Sequence, residues 1–307
     1  MAWFLGIDGG GTRTTAWLAD EAGAVLARAT AGPSNPVKVG FAAAERELWR
    51  AARAALRKAG VAAGARQGVP LQALCAGIAG VDRPATHRPL MAWLRQHIPA
   101  KHYVLLTDAE IALRAGLGQS PGVLVISGSG SIAFARDDRG HLLRAGGWGV
   151  PFDDIGSGYD LGRKAIGAAL RDFDGRGPRT RLQAKVCQAL KLSQITQVVM
   201  RPLTPQGVAN LFPVVLDAAL RRDALARELL CEAGRDLAEL PLALLRRLGW
   251  LGRLVPVICA GGVFRSSALV RRSFARHLHA RAPNARVLQL RHPPVEGALA
   301  LARESAQ

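Results

Sequence analysis

The sequence predicts an α/β protein made of two related domains that flank a cleft. Strand-like and helix-like segments alternate along the 307 residues, a length that suffices for two domains. The opening stretch, residues 2–31, reads as strand, glycine turn, strand, turn, strand. The same order returns in "GVLVISGSGSIAFARDDRGHLLRAGG", displaced by roughly 120 residues, and such self-similarity is typical of a duplicated domain. One long doubly wound sheet is the alternative, and it explains the repeat less well.

Apolar spacing predicts the elements of the first half. Short apolar and β-branched runs favour strands, whereas Ala, Leu and Trp at helical spacing favour helices. Gly60 is expected to end the helix over 41–59. The expected strands are 2–8, 14–20, the run "AGAVLARATAG", 71–78 and 103–107, and the further expected helices cover about 85–97 and a segment that begins near Asp108.

The second half carries more helix. Strongly helical sequence occupies about 157–250 and is expected as a helical insertion, with an exposed loop at 171–181. The strand "LVPVICAGG", a helix, the strand "RVLQL" and a final helix after Pro294 follow. No long linker separates the halves, so we place one domain at 1–118 plus about 296–307 and the other at 119–295.

The net charge of +18 comes mostly from arginine. A polyanion such as nucleic acid is one explanation for such a charge. The arginines are scattered, however, as in "RELWRAARAALRKAG", where they fit the solvated faces of amphipathic helices. We therefore expect no nucleic-acid partner, although a protein that handles ATP could benefit from the positive field.

Nothing in the sequence indicates a membrane protein or a secreted one. No apolar run reaches the roughly 18 residues that span a bilayer. The apolar start at Trp3–Ile7 is too short for a signal-peptide core. Cys75, Cys187, Cys231 and Cys259 are widely spaced and form neither a CxxC pair nor a zinc pattern, which favours buried free thiols. We expect a cytoplasmic protein.

Three consecutive glycines, Gly9, Gly10 and Gly11, follow the first expected strand in "GIDGGGTRT". A dinucleotide fingerprint needs a helix after its glycines, and a P-loop needs a lysine. Strand-forming residues follow here and that lysine is missing, so a hairpin turn remains. This hairpin is either a plain turn or an anion-binding site. In an anion site, the backbone N–H groups and the Thr12 hydroxyl would approach phosphate, and Asp8 would hold a hydrated magnesium ion.

The second copy of this hairpin, "ISGSGS" at 126–131, favours the anion site. Ser129, Gly130 and Ser131 stand at the equivalent turn. Two glycine and hydroxyl hairpins, one from each half, can hold a polyphosphate from both sides of a cleft.

A third turn, "CAGGVFRSS", also follows an expected strand. Gly261 and Gly262 would let adenine or its ribose pack close to the backbone, and a helix is expected to open near Ser266. Chance would rarely supply all three turns, so they favour a nucleotide-binding protein.

Six motifs together resemble a known family. "GIDGGGTRT", "GIAGVDRP", "TDAEIALRAG", "VISGSGS", "GGWG…DDIGSGYDLG" and "CAGGVFRSS" stand in the order seen in the N-acetylglucosamine kinase and BadF/BadG-type ATPase group of the actin/hexokinase/Hsp70 superfamily. The resemblance runs from residue 6 to about 267. It implies two ribonuclease-H-like domains that close over ATP, Mg²⁺ and a sugar, commonly in a homodimer.

Asp108 is the candidate catalytic residue. A sugar hydroxyl that attacks a γ-phosphate needs a carboxylate to accept its proton. Asp108 lies between the strand "YVLLT" and a helix, where the alternative role is that of a helix N-cap. The resemblance places the general base of the family at this position and phosphoryl transfer at the 6-hydroxyl.

The resemblance also implies where a sugar would bind. Asn35 in "GPSNP" matches a sugar-binding position, and otherwise reads as a turn residue. Asp82 would either contact sugar or only order its turn. Gly147 and Gly149 let backbone amides meet a ligand, and Trp148 between them is either a wall of the sugar pocket or a core residue.

One position departs from the family pattern. Related chains typically read Gly-Asp-Glu-Gly-Ser, whereas this chain has Asp153, Asp154 and Ile155 before its Gly-Ser. Asp154 matches a carboxylate that binds sugar hydroxyls, but Ile155 replaces a charged glutamate. Either Asp153 compensates or the accepted sugar differs, so the reaction is better defined than the sugar.

The resulting hypothesis is an ATP-dependent kinase of N-acetylglucosamine or glucosamine. An ATPase activator that drives a protein partner is the alternative. Activators that serve radical dehydratases hold a cluster with cysteines, and none of the cysteines here looks like a surface ligand in a glycine-rich bend. A sugar-sensing regulator is disfavoured because no helix-turn-helix fits before the first expected strand.

Overall fold

The computed structural model describes residues 2–61 and 71–307. Its internal packing divides the chain into two units, Met1–Gln119 with Leu290–Gln307 and Ser120–Gln289. The domain limits expected from the sequence, 1–118 with about 296–307 and 119–295, stay a prediction. Each unit is an α/β layer structure with its own five-stranded sheet.

The first unit carries helices on both faces of a mixed sheet. Its strands are β1 (Phe4–Gly9), β2 (Thr14–Ala19), β3 (Val25–Ala31), β4 (Leu71–Ile78) and β5 (Ala100–Leu106), and its helices are α1 (Pro36–Val39), α2 (Phe41–Lys58), α3 (Pro84–His97), α4 (Asp108–Leu117) and α12 (Pro294–Glu304).

The order of this sheet is β3-β2-β1-β4-β5. The strands β1, β2 and β3 are antiparallel neighbours, whereas β4 and β5 run parallel to β1. Successive residues of β1 point to opposite faces: Leu5 and Ile7 join the core with α2 and α3, and Phe4 joins the core with α4 and α12. Burial on both faces explains why the central strands β1 and β4 are largely apolar, whereas the edge strand β3 alternates buried and exposed residues.

The second unit repeats this topology and adds the helical insertion. Its strands are β6 (Gly122–Ser127), β7 (Ser131–Arg136), β8 (Leu142–Gly146), β9 (Val255–Ala260) and β10 (Ala285–Gln289), and its helices are α5 (Gly158–Phe173), α6 (Leu182–Leu190), a 3₁₀ helix (Ile195–Met200), α7 (Pro205–Ala209), α8 (Phe212–Leu220), α9 (Ala224–Arg247), α10 (Gly262–Ser266) and α11 (Ala268–His279).

The sheet of this unit has the order β10-β9-β6-β7-β8, the same sequence of neighbours as in the first. The pairs β6/β7 and β7/β8 are antiparallel, and β9 and β10 are parallel to β6. One large core joins these strands to α5, α9 and α11. The duplication expected from the glycine hairpins is therefore confirmed, and the single doubly wound sheet is wrong.

The boundaries of some elements differ from expectation. The strand expected at 103–107 begins at Ala100, and α5 reaches Phe173, so part of the expected loop at 171–181 is helical. The helix expected near Ser266 already begins at Gly262, because Gly261 turns the chain at once with a φ of +97°. The short helix α1 escaped prediction, since it contains less than two turns. Among the described residues, no helix has the length and apolar content that a membrane crossing requires.

Candidate active site

The candidate site begins at the carboxyl ends of the parallel strands of the first unit. β1 carries Asp8, the chain after β4 carries Asp82, and β5 leads into Asp108 at the start of α4. Ligands of open α/β sheets bind at this edge. The charges of the carboxylates interact, because Asp108 raises the pKa of Asp8 and Asp82 raises that of Asp108.

Asp108 does not cap its helix, so the N-cap alternative is wrong. Thr107 is the N-cap of α4: its hydroxyl accepts from the N–H of Glu110, and Glu110 accepts in return from the N–H of Thr107 at 2.8 Å. This capping box was visible in "TDAE". The Asp108 carboxylate is therefore not used to close the helix.

Burial raises the pKa of Asp108 to about 6. Hydrogen bonds from the N–H groups of Ala109 and Asp108 itself oppose the rise, as does the charge of Lys38, while Asp82 adds to it. A carboxylate with this pKa is ionised at neutral pH and is more basic than an ordinary aspartate. Both properties suit a group that accepts a proton.

Asp8 has the more strongly shifted carboxyl group. Burial raises its pKa to about 7, Asp108 adds to the rise and Arg13 opposes it. A cation beside Asp8 would reverse that shift. The described residues contain no group of three or more His, Cys, Asp or Glu side chains that could hold a metal ion. Mg²⁺ commonly uses one or two carboxylates and keeps several waters, so Asp8 fits a hydrated Mg²⁺.

The glycine turn between β1 and β2 is closed by its own backbone. The N–H of Gly10 donates to the carbonyl of Arg13 at 2.9 Å, and the Gly10 carbonyl accepts from the N–H of Ser34 at 3.0 Å. Gly9 leaves room for the side chains of Ser34 and Ile78. Gly9 is thus required by packing inside the unit, whereas Thr12 is exposed at the tip of the turn.

Lys38 lies beside this turn and was missed by the sequence analysis. A Cβ added to Gly11 would lie 3.2 Å from Lys38 Nζ, and the charge of Lys38 also acts on Asp108. Lys38 belongs to α1, too short for a periodic signal, although "NP" at 35–36 marks a helix start. Arg13, the cation nearest in sequence to the turn, was also missed although it stands inside "GGGTRT".

Asn35 is the N-cap of α1, with Oδ1 accepting from the N–H of Val37 at 3.0 Å. Gly80, after β4, comes so close that a Cβ there would lie 2.6 Å from the same oxygen. Among the described residues the amide nitrogen of Asn35 has no hydrogen-bond acceptor. The structure thus brings Asn35 against the chain that carries Asp82, and Asp82 itself is exposed.

In the second unit, the β6–β7 hairpin contains Ser129, Gly130 and Ser131. The turn is held by the N–H of Gly128, which donates to the Gly130 carbonyl at 2.9 Å. Ser129 Oγ donates to Gln206 Oε1 at 3.0 Å, and Ser131 Oγ donates to the Ile155 carbonyl at 2.7 Å. The Ser131 hydroxyl is buried, so the turn itself is the accessible part of the hairpin.

Trp148 is not a core residue: its relative exposure is 70%, which excludes that alternative. The glycines around it all have positive φ, between 71° and 83°, a conformation that side chains rarely adopt. The Arg144 guanidinium lies 4.2 Å from the centre of the Trp148 ring. Asp153 Oδ2 accepts from the N–H of Trp148 at 3.2 Å, so Asp153 fixes this turn.

Asp154 lies against the β6–β7 hairpin. Its Oδ1 accepts from the N–H of Ser131 at 3.0 Å, and a Cβ at Gly130 would lie 2.8 Å from the same oxygen. Asp154 has a φ of +67°, uncommon for a residue with a side chain. The structure therefore brings two separately predicted sites, the hairpin and the 146–156 turn, into direct contact.

Gly261, Gly262 and Ser266 follow β9. A side chain at Gly261 would collide with the backbone of Ser127, so the turn packs directly on β6. Ser266 lines a cavity of about 390 Å³ with Leu216 of α8 and Arg227 of α9. This volume lies at the lower end of the range of small-molecule sites.

Two of the four cysteines are buried, as the sequence analysis expected, and two are only half-buried. Cys75 in β4 and Cys259 in β9 are buried, and Cys187 and Cys231 lie half-buried in helices; all four are free thiols. Burial raises the pKa of Cys75 and of Cys259 to about 12. Thiols of this kind are poor nucleophiles and poor cluster ligands.

Comparisons with known proteins agree with this architecture. The chain is 32% identical to the N-acetylmuramic acid/N-acetylglucosamine kinase of Clostridium acetobutylicum, over 99% of both chains. It is 28% identical to the N-acetyl-D-glucosamine kinase of Dictyostelium discoideum, over 98% of both. The crystal structure of a provisionally named N-acetylglucosamine kinase from Chromobacterium violaceum superposes with a TM-score of 0.80 at 29% identity, covering 98% of this chain and 99% of that one.

The resemblance seen in the sequence motifs is thereby confirmed, as is the α/β fold of two related units. A family model matches residues 5–301, nearly the whole chain. The chain belongs to the BadF/BadG/BcrA/BcrD ATPase family.

Proposed function

We propose that this chain is an ATP-dependent kinase that phosphorylates the 6-hydroxyl of an amino sugar, N-acetylglucosamine or glucosamine. The observation that carries the proposal is Asp108, a carboxylate at the ligand-binding edge of the sheet whose pKa is raised to about 6. Relatives named as amino-sugar kinases match over nearly the full length. The 6-position comes from the family resemblance.

Asp108 acts as the general base. The sugar hydroxyl oxygen forms a bond to the γ-phosphorus, the bond between that phosphorus and the β,γ-bridging oxygen breaks, and ADP leaves. The proton of the hydroxyl passes to the Asp108 carboxylate and from there to solvent. Lys38, whose charge acts on Asp108, keeps the carboxylate ionised before the transfer.

Backbone and cationic groups hold the phosphates. In the first unit these are the N–H group of Gly11, the Thr12 hydroxyl and Lys38, on a turn that Gly9 and Gly10 shape. In the second unit they are the turn residues Ser129 and Gly130, with Ser131 fixing the shape of the turn. Backbone N–H groups in a turn are suited to anions because they offer fixed partial positive charges.

A magnesium ion completes the charge balance. Asp8 would hold it, directly or through water. The raised pKa of Asp8 supports this, because a nearby cation would stabilise the buried carboxylate. When bound, the ion neutralises charge on the β- and γ-phosphates.

The family resemblance assigns the sugar contacts. Asn35 and Asp82 offer an amide and a carboxylate, and Gly147, Trp148, Gly149 and Asp154 offer backbone amides, an exposed ring and a carboxylate. Ile155, half exposed at 50%, presents an apolar surface where relatives carry a charge. The nucleoside is assigned to Gly261, Gly262 and Ser266, beside the cavity that Ser266 lines.

A homodimer and a cytoplasmic location belong to the same proposal. The family resemblance supports the dimer, and the free thiols support a reducing compartment. Light scattering coupled to size exclusion measures the mass in solution and tests the dimer directly.

The test of the activity is a sugar screen. Purified protein with Mg²⁺ and ATP is expected to release ADP with an amino sugar, and the screen compares N-acetylglucosamine, glucosamine, N-acetylmuramic acid and glucose. Mass spectrometry of the product identifies the phosphorylated sugar. Turnover that no sugar stimulates but a protein partner does would instead support the ATPase activator.

A further inference from the structure

The helical insertion of the second unit contains a cavity that the proposed function does not use. Its volume is about 700 Å³, within the range of small-molecule sites and larger than that of the cavity beside Ser266. It lies at the carboxyl end of α5, between the loop after that helix, α6 and the turn that precedes α9. The hairpin assigned to ATP phosphates contacts the opposite end of α5, at Gly158 and Tyr159. Asp172, which lines the cavity, lies about 21 Å along the helix from Gly158, so the two sites are distinct.

One wall of this cavity is the carboxylate of Asp172, of whose side chain only 3% is exposed. Its Oδ2 accepts from the N–H of Thr180 at 3.0 Å. Its Oδ1 accepts no hydrogen bond from the described residues, and its ion pair with Arg179 Nε spans 3.9 Å, beyond hydrogen-bond distance. A buried carboxylate oxygen without a donor is costly, so Asp172 is suited to a ligand that brings an O–H or N–H group into the cavity.

The second buried carboxylate of the cavity, Asp223, already has its donors. The Thr180 hydroxyl and the N–H of Arg181 donate to Oδ2 at 3.0 Å and 2.6 Å, and the N–H of Ala226 donates to Oδ1 at 2.9 Å. These bonds hold the loop after α5 against the start of α9. Of the two carboxylates among the described lining residues, Asp172 is therefore the one that keeps an oxygen for a ligand.

The cavity also offers groups that bind anions and hydroxyls. Three exposed arginines line it: Arg179, Arg181 and Arg222. Among the described residues, the guanidinium groups of Arg181 and Arg222 have no acceptor. Guanidinium groups match the oxygens of phosphate in geometry and charge. The uncharged polar side chains that can bond hydroxyls are Gln183, Ser193 and Gln194.

We propose that this cavity binds a sugar phosphate, the class of compound that the proposed kinase reaction produces. The choice of ligand rests on the proposed function, whereas the cavity and its groups do not depend on it. The phosphate pairs with Arg181 and Arg222, and a sugar hydroxyl or the ammonium of an amino sugar donates to Asp172 Oδ1. An unphosphorylated sugar lacks the anion, and inorganic phosphate lacks the sugar ring that reaches Asp172, so both are expected to bind more weakly.

Cys187 gives a readout that is specific to this cavity. It is a half-buried free thiol among the lining residues, whereas Cys231, also a half-buried free thiol, is not among the described residues that line it. The full chain is alkylated with iodoacetamide, and peptide mass spectrometry follows each cysteine separately. The 6-phosphates of N-acetylglucosamine and glucosamine are added at increasing concentration. They are expected to slow alkylation of Cys187 about fivefold or more and that of Cys231 less than about twofold.

Two variants test the proposed contacts. Arg181→Gln removes one guanidinium, and Asp172→Asn keeps an acceptor for the N–H of Thr180 but loses the free carboxylate oxygen. Each is expected to reduce the protection of Cys187 below about twofold. Unchanged alkylation of Cys231 shows that a variant is folded.

Arg221→Gln is the matched control. Arg221 is also exposed but is not among the described lining residues, and its guanidinium faces Asp217 instead. This variant is expected to keep the full protection of Cys187.

Inorganic phosphate, N-acetylglucosamine and ADP complete the experiment. ADP is included because Arg222 also lines the cavity beside Ser266, where the nucleoside is assigned. Equal protection by any of these three, no protection by either sugar phosphate, or full protection in both Arg181→Gln and Asp172→Asn would overturn the proposal. If an amino sugar is phosphorylated but Cys187 is not protected, only this inference fails. If no amino sugar is phosphorylated while a sugar phosphate protects Cys187, the proposed function fails and the assignment of the cavity stands.

Discussion

The negative charge of Asp108 raises the pKa of Asp8, so the two carboxyl groups at the carboxyl edge of the first sheet repel each other. Burial is the larger cause of both shifts: together with the charge of Asp108 it brings the pKa of Asp8 to about 7, and together with the charge of Asp82 it brings that of Asp108 to about 6. Two carboxylates kept so close in a folded protein indicate a function that outweighs their cost in stability.

Replacing the proposed base should stop turnover without stopping nucleotide binding. Asp108→Asn keeps the shape of the side chain but cannot accept the proton, so kcat is expected to fall by about 100-fold or more. The dissociation constant of ADP, measured by calorimetry, is expected to change little. Asp174→Asn, on an exposed loop of the other unit, serves as the control and should keep full activity. An active Asp108→Asn enzyme would exclude Asp108 as the base.

The pH profile should report the ionisation of the same residue. Below a pH of about 6, Asp108 is protonated and cannot accept the sugar proton, so kcat/KM should fall about tenfold per pH unit. Above that value the profile should level off. The measurement is initial velocity at low sugar concentration from pH 5 to 8.5, with stability checked at each pH. A profile that stays flat down to pH 5 would contradict the assignment.

Removing the most strongly shifted carboxyl should stabilise the fold. The folded-state pKa of Asp8, about 7, exceeds the ordinary 3.8, so its destabilising effect grows from pH 4 to 7 and is constant above. Asp8→Asn is therefore expected to raise the free energy of unfolding by about 1–3 kcal/mol at pH 8, and by little near pH 4. Urea unfolding with EDTA and without nucleotide measures the difference. An equal gain at both pH values would point to a cause other than charge.

The sequence predicted the elements whose signals are local. The strand over 71–78 is found at Leu71–Ile78, because its apolar run is bounded by clear breaks. The hairpins followed from glycines between strand-forming residues. The sequence placed Asp108 correctly at a strand-to-helix boundary. It left open whether Asp108 caps the helix, although the capping-box pattern in "TDAE" already indicated Thr107 as the N-cap.

The positions of several site side chains could not be predicted, because they depend on contacts between residues far apart in the sequence. Nothing in "DDIGS" reveals that Asp154 turns back to the N–H of Ser131, since that bond joins residues 23 positions apart and needs a positive φ at an aspartate. Lys38 approaches Gly11 because Asn35 caps a helix of less than two turns. The sequence left open whether Asp153 compensates for the glutamate that Ile155 replaces or whether the accepted sugar differs. In the structure the Asp153 carboxylate accepts a hydrogen bond from the backbone N–H of Trp148.

A cluster of three carboxylates surrounds Lys164 of α5 in the second unit. Lys164 Nζ lies 2.8 Å from Asp160 Oδ2, 3.1 Å from Glu232 Oε1 and 3.3 Å from Asp236 Oδ2. Burial alone would raise the pKa of Asp160, but hydrogen bonds from Lys164, the N–H of Gly156 and Arg163 outweigh it and hold the pKa below its ordinary value. The Asp160 carboxylate therefore holds the backbone at Gly156 and is itself stabilised by Lys164.

Lys164→Met should lower the free energy of unfolding at pH 7 by about 1–3 kcal/mol, because it removes one of the two cations bonded to the buried Asp160 carboxylate and leaves only Arg163. Since the folded-state pKa of Asp160 is lowered, its contribution is present above about pH 4 and disappears as the pH falls through the lower folded-state value. The loss in Lys164→Met is therefore expected to shrink below pH 4. Urea unfolding at pH 7 and 3.5 measures it, with the exposed Lys101→Met as control. Adding Asp160→Asn to Lys164→Met should recover part of the loss, and strictly additive effects would show that the two side chains do not interact.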